Sequence, residues 1–195
     1  DIEHDFAGAV ALLTIGCGAD ANPEPRGKLE FCRQHGRALA DEVQRLLGGE
    51  LKPVSGEPAC RLTHVDLPLG PLPSRADWET AAAGGGSNGM RAKYFLAKLG
   101  RGDTVPASVR YPIATWTFAD DLAMVFLGGE VVVDYAQRLS RECDAKRLWI
   151  TAYANDVPCY IASQRILREG GYEADSSMIY YGQPTRLAPE TEDLI

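Results

Sequence analysis

The 195-residue chain has no long hydrophobic run, no cluster of basic residues and no Cys-x-x-Cys pair. None of its apolar stretches approaches the roughly 20 residues that a membrane-crossing helix needs. With a formal charge of −7 and no Lys/Arg run, the chain lacks the basic face that gathers a phosphate backbone, so nucleic acid is not expected as a partner. The five cysteines, Cys17, Cys32, Cys60, Cys143 and Cys159, are odd in number and widely spaced. They give little support to a zinc-thiolate or thioredoxin-like site and suit buried free thiols. His4, His35 and His64 form neither a His-x-His nor a His-Glu-x-x-His spacing, and none is expected to bind metal. Gly-x-Ser-x-Gly, Walker and dinucleotide fingerprints are also missing, which removes the usual serine-hydrolase and nucleotide readings. The start, Asp1-Ile-Glu-His-Asp5, shows neither a Met nor a signal peptide. A chain that continues upstream, or that was processed, is expected.

What is present is an ordinary globular composition, enough for one domain with a real core. Gly8 to Ile15 is a continuous apolar run closed by Gly16-Cys-Gly18, which predicts a strand buried on both faces. A polar loop with Asp20, Asn22, Pro23 and Pro25 follows. A helix is then expected over about Lys28 to Leu47, with Leu29, Cys32, Gly36, Leu39, Val43 and Leu46 on one stripe and Gly48-Gly49 as the stop. Alternation over Pro58 to Leu69 reads as a strand. Ser74-Arg-Ala-Asp77 resembles a capping box that opens a short helix. Ala81 to Gly89 is expected to be a flexible surface excursion, with another helix over about Met90 to Leu99. Pro112 to Leu127 reads as two strands joined at Asp120-Asp121. Leu148 to Tyr153 is a further strand, Ser163 can cap a helix over Gln164 to Glu169, and the tail from Pro184 reads as surface loop. The pattern predicts an α/β fold: a mixed sheet with flanking helices, forming a partial domain.

Two segments carry candidate chemistry. In Val125-Phe-Leu-Gly-Gly-Glu130 a carboxylate follows a strand and two glycines, and in Tyr153-Ala-Asn-Asp-Val-Pro-Cys-Tyr160 a tyrosine follows a second strand and a turn. Both can converge at one sheet edge, where α/β proteins do their chemistry. Glu130 can equally be a structural carboxylate at a helix start, worth a few tenths to ~1 kcal/mol. Tyr160 can equally be a half-buried core tyrosine. Asp20 and Asn22 can be ligand-facing loop residues or plain Asx-turn formers.

The order of these segments resembles the catalytic domain of the neutral/alkaline non-lysosomal ceramidases. The matching pieces are Ala19-Asp20-Ala21-Asn22-Pro23, Gly128-Gly129-Glu130, Asn155 to Tyr160, Tyr172-Glu173 and Ser177-Met-Ile-Tyr-Tyr181-Gly182, so the resemblance runs from about Gly8 to Gly182. It implies that the chain, residues 1–195, is the C-terminal half of such a domain. It further implies that Glu130 and Tyr160 are zinc ligands and that the remaining ligands are histidines of an absent N-terminal half. Glu130 and Tyr160 alone would hold zinc weakly.

Asn22 stands where the family has its nucleophilic serine, and an amide cannot replace that hydroxyl. What the resemblance leaves is hydrolysis of an amide or ester, with zinc as Lewis acid and water activator, Asp20 as proton acceptor or orienting group, and Asn22 as oxyanion or substrate donor. The substrate is expected to be a small molecule or lipid, with peripheral membrane contact and a secreted or periplasmic location. The alternative is a non-catalytic member of the same fold that binds a lipid or glycan.

Overall fold

The computed structural model describes residues 1–195. A short helix α1 (Ile2–Asp5) and a long one, α2 (Leu29–Leu47), precede strand β1 (Pro58–Pro68) and the helix pair α3 (Arg75–Gly84) and α4 (Gly86–Gly100). The chain then forms β2 (Ser108–Phe118), β3 (Leu122–Leu127), a two-residue β4 (Glu130–Val131) and α5 (Val133–Glu142). It continues through β5 (Leu148–Thr151), β6 (Tyr160–Ile161) and α6 (Gln164–Glu169). One sheet runs in the order β1-β2-β3-β5, antiparallel except for the parallel β3–β5 pair, and β4 pairs with β6 in parallel. This is the mixed-sheet α/β class that the alternating pattern predicted.

Period-two alternation decides which side of the sheet is buried. Leu67, Val109, Tyr111 and Leu127 are buried on one face, with Val65, Ile113, Val125 and Ile150 packed against them. Tyr135 of α5 and Leu167 of α6 belong to the same core. Burial pushes the phenols of Tyr111 and Tyr135 far above the ordinary tyrosine value. The fold therefore holds them neutral. That stability is complete below the unfolded tyrosine value of about 10 and is lost as pH rises through the raised values. Alkaline titration should show these two phenols ionising only together with loss of circular dichroism. Smooth ionisation ahead of unfolding would contradict their burial.

The opposite face is open. Leu62 is 57% exposed, Trp116 43% and Trp149 50%, and the register puts all three on that side with Met124 and Phe126. The Trp116 and Phe126 rings pack at a tilt with centroids 5.0 Å apart, and no helix of this chain packs over Leu62, Trp116 and Trp149 to bury them. Exposed apolar surface of this kind drives association. Sedimentation at rising concentration should show growing average mass, and the Leu62→Thr, Trp116→Thr double variant should sediment as the smaller species. A wild-type monomer throughout would contradict the expectation.

Three expected elements take another form. Gly8 to Ile15 forms no strand, with Leu12 90% and Leu13 81% exposed. Only its end meets the sheet: the Ile15 carbonyl accepts from Ala152 N at 2.7 Å and Thr151 Oγ1 at 2.9 Å. An apolar run states that burial is favourable and says nothing of whether a second neighbour exists. Likewise α2 forms as expected, but its leucine stripe is exposed and only Ala40 is buried.

Residues 81–89, Gly85 apart, are helical rather than a loop. They close α3 and open α4 around Gly85 and Gly86, whose φ values of 73° and 62° suit a tight corner between helices. The run of alanines favours helix, and Gly89 lies against the Ala81 and Ala82 carbonyls, where a Cβ would sit 3.3 and 3.5 Å away. The capping box is present as predicted, with Asp77 N donating to Ser74 Oγ at 3.2 Å and Ser74 N to Asp77 Oδ2 at 2.8 Å.

The tail is not surface loop. Leu187 bridges Leu69, Ala188 N donates to the Pro68 carbonyl at 2.9 Å, and Leu187 and Thr191 are buried. The Leu187-Ala188 pair lengthens the sheet side of β1 with too few residues to show periodicity. Of the cysteines, Cys17 and Cys159 are buried as expected, while Cys32, Cys60 and Cys143 are exposed free thiols. Cys32 lies on α2 and Cys60 on the open sheet face, which this chain leaves bare, and Cys143 follows the end of α5.

Candidate functional site

The site begins where β3 runs out. Leu127 leads into Gly128 and Gly129, and the latter has φ 73°, a region that L residues rarely adopt. A Cβ on Gly129 would lie 2.7 Å from the Cys159 carbonyl and 2.7 Å from Ile161 Cγ1. Only glycine permits this approach. The backbone then locks the two segments: Gly129 N donates to the Asp156 carbonyl at 2.7 Å and Glu130 N to the Cys159 carbonyl at 3.0 Å.

The result is that Glu130 and Tyr160 are register partners in the parallel β4–β6 pair. Directly opposed residues project from the same face. The turn between β5 and β6 uses left-handed conformations at Tyr153 (φ 56°) and Asn155 (φ 66°), and it carries Tyr153 back to the same point. Tyr153 Oη donates to Glu130 Oε2 at 3.0 Å, and Tyr181 Oη donates to Glu130 Oε1. The Tyr160 ring meets Tyr172 edge-on at 5.5 Å and Tyr181 at 6.2 Å between centroids. One carboxylate thus sits among three phenols.

Two of those phenols, Tyr153 and Tyr160, are held protonated. Burial first, then donation to Glu130, pushes Tyr153 up to about 12. Burial first, then the neighbouring Glu130 carboxylate, raises Tyr160 as well. A proton on Tyr153 and on Tyr160 keeps phenolate charge away from the Glu130 carboxylate.

Asp20 occupies a different place. Ala19 N donates to the Val131 carbonyl at 3.1 Å, and Asp20 Oδ1 accepts from Val133 N at 2.9 Å, the first residue of α5. Asp20, rather than Glu130, is the carboxylate that satisfies this helix start, where a negative charge is favoured. The loop is therefore tied to the backbone of β4 and not to the Glu130 carboxylate. Asn22 is exposed two residues further on. Glu130 and Tyr160 come together, Asp20 is fixed beside their strand, and Asn22 stays on the loop surface.

Tyr153 and Tyr181 as Glu130 partners were not anticipated. The signal available was weak: a tyrosine ending a strand and a Tyr180-Tyr181 doublet. A hydroxyl that meets a carboxylate 51 residues away in sequence has no local periodicity to announce it.

A zinc ion fits this donor set in part. Carboxylate and phenol oxygens are suitable donors, and no group of three His, Cys, Asp or Glu lies together anywhere in the chain. A closed site needs four protein donors, and a catalytic one three plus water. The cluster supplies one carboxylate with Tyr160 opposed to it, which amounts to half of such a set. No family model, no curated protein and no solved structure matches the chain.

Proposed function

We propose that this chain is the C-terminal half of a ceramidase-like, zinc-dependent hydrolase that cleaves an amide or ester bond. The observation that carries the reading is the register pairing of Glu130 with Tyr160 at a sheet edge, reached only because Gly129 lets β4 close on β6. Zinc, held by Glu130 and Tyr160 together with histidines of the preceding half, would supply Lewis acidity at the scissile carbonyl and activate water.

Within this chain Tyr153 and Tyr181 orient the Glu130 carboxylate by donating to its two oxygens. This is the supporting role that partners of metal-binding carboxylates play. Asp20 has one oxygen committed to Val133 N. In this reading its second oxygen would orient a substrate or accept a proton, and the exposed Asn22 amide would donate to an oxyanion.

Because Asn22 replaces a nucleophilic serine in the resemblance, a binder without turnover is the second reading. The two separate in one assay: the protein carrying both halves is given a panel of aryl esters and acyl amides before and after chelation. The hydrolase reading expects turnover that chelation abolishes and zinc restores. Binding without any turnover would support the second reading. Asn22→Ala is expected to lower kcat by roughly 10²–10³ if its amide donates to the transition state, and an unchanged kcat would remove Asn22 from the mechanism.

A further inference from the structure

Between α4 and the turn that follows α6 lies a groove of about 520 Å³, lined by Met90, Tyr94, Ile179, Tyr180 and Tyr181 and by Arg91. Met90 is 67% exposed, Tyr94 55% and Tyr180 70%. These large side chains gather at one place without serving the core. No carboxylate lines the groove.

Arg91 is the unusual member. It is partly withdrawn from water and makes no ion pair, although thirteen ion pairs occur elsewhere in the chain. Its guanidinium lies 5.6 Å from the Trp78 ring centroid. Nη1 donates to the Gln183 carbonyl at 3.1 Å, Nη2 donates to Asn88 Oδ1 at 2.9 Å, and Nε is buried without an acceptor. Both acceptors are neutral, so the charge is oriented but not balanced. A guanidinium has two N–H groups on each terminal nitrogen, so one on each remains for a ligand. A half-buried cation without an anion is costly, and a planar fork at the edge of an apolar surface suits a carboxylate.

We infer that this groove binds a small apolar carboxylate, its chain or ring lying on Tyr94, Tyr180 and Met90 and its carboxylate taken by Arg91. Tyr181 belongs both to the groove lining and to the Glu130 cluster, so a bound molecule lies within one tyrosine ring of Glu130. Binding itself does not depend on zinc. Only the extension, that the carboxylate is part of the substrate or product of the Glu130 site, rests on the hydrolase reading.

Octanoate and 1-octanol differ in the head group alone, and both can be titrated into the chain by calorimetry with a chelator present. Octanoate is expected to bind about 10–100-fold more tightly than 1-octanol, the range of a charge-assisted hydrogen bond converted to affinity. Arg91→Gln should bring octanoate down to the 1-octanol level and leave 1-octanol unchanged, and Tyr180→Ala should weaken both. Equal affinity for the two probes, no binding of either, or octanoate binding that survives Arg91→Gln would overturn the inference. Should Arg91→Gln unfold, the probe ratio on the unmodified chain and the Tyr180→Ala result still decide. Selective octanoate binding in a protein that lacks zinc-dependent turnover would remove the hydrolase reading and leave the groove standing.

Discussion

Gly129→Ala is expected to destabilise the chain by about 2–5 kcal/mol, the sum of a left-handed backbone at an L residue and an overpacked contact. The two contributions have separate origins. Gly129 has φ 73°, and the added Cβ would meet the Cys159 carbonyl, just before β6, and Ile161 Cγ1 on β6, each at 2.7 Å. Neither neighbour is the free end of a flexible side chain. In a chain of this size the loss corresponds to a fall in Tm of roughly 5–20 °C. Gly84→Ala is the control, since its Cβ meets nothing within 4 Å and its φ is not left-handed, and it should melt within a degree or two of the unmodified protein. Equal melting of the two variants would show that β4 and β6 do not approach as described.

The second large effect concerns Glu130. Glu130→Gln keeps the size of the side chain and removes the charge, so on the proposed hydrolase reading zinc affinity, and with it any zinc-dependent turnover of the longer protein, should fall to background. Tyr181→Phe and Tyr153→Phe remove only the hydroxyls that donate to Glu130. They should weaken zinc about 10–100-fold, the range for partners that orient a metal ligand. The graded order, Gln below Phe below the unmodified protein, is the signature of a ligand held by its neighbours. If Glu130→Gln retains full zinc content, Glu130 is a structural carboxylate among tyrosines.

Much of the fold was readable in the sequence because local chemistry announced it. Ser163 caps α6 with its hydroxyl accepting from Ile166 N at 3.3 Å, and the Asp120-Asp121 turn joins β2 to β3 where the two apolar runs meet. What failed was the inference from apolarity to burial. Gly8 to Ile15 and the α2 stripe are both apolar and both exposed. A pattern records a preference for burial, and the partner that would satisfy it is a long-range fact. The alanine and glycine run at 81–89 misled in the opposite sense. Glycine signals a break, but here a single corner at Gly85-Gly86 serves two helices.

The candidate site was legible as far as Glu130 and Tyr160, since each follows a strand and a turn. The ring of phenols around Glu130 was not, because Tyr153 and Tyr181 reach it through a left-handed turn and through the chain beyond α6. Asp20 was placed near the right strand, but its oxygen is spent on α5. A helix start in need of an acceptor competes for any short carboxylate within reach.

The most direct measurement is anomalous diffraction at the zinc edge on crystals of the protein carrying both halves, grown with zinc. The account predicts one peak at about 2.0–2.2 Å from both a Glu130 carboxylate oxygen and the Tyr160 hydroxyl oxygen, absent in Glu130→Gln crystals. Zinc bound elsewhere, or a Glu130 that keeps both tyrosine hydrogen bonds in a zinc-loaded crystal with no peak beside it, would contradict the claim that these two residues share a metal.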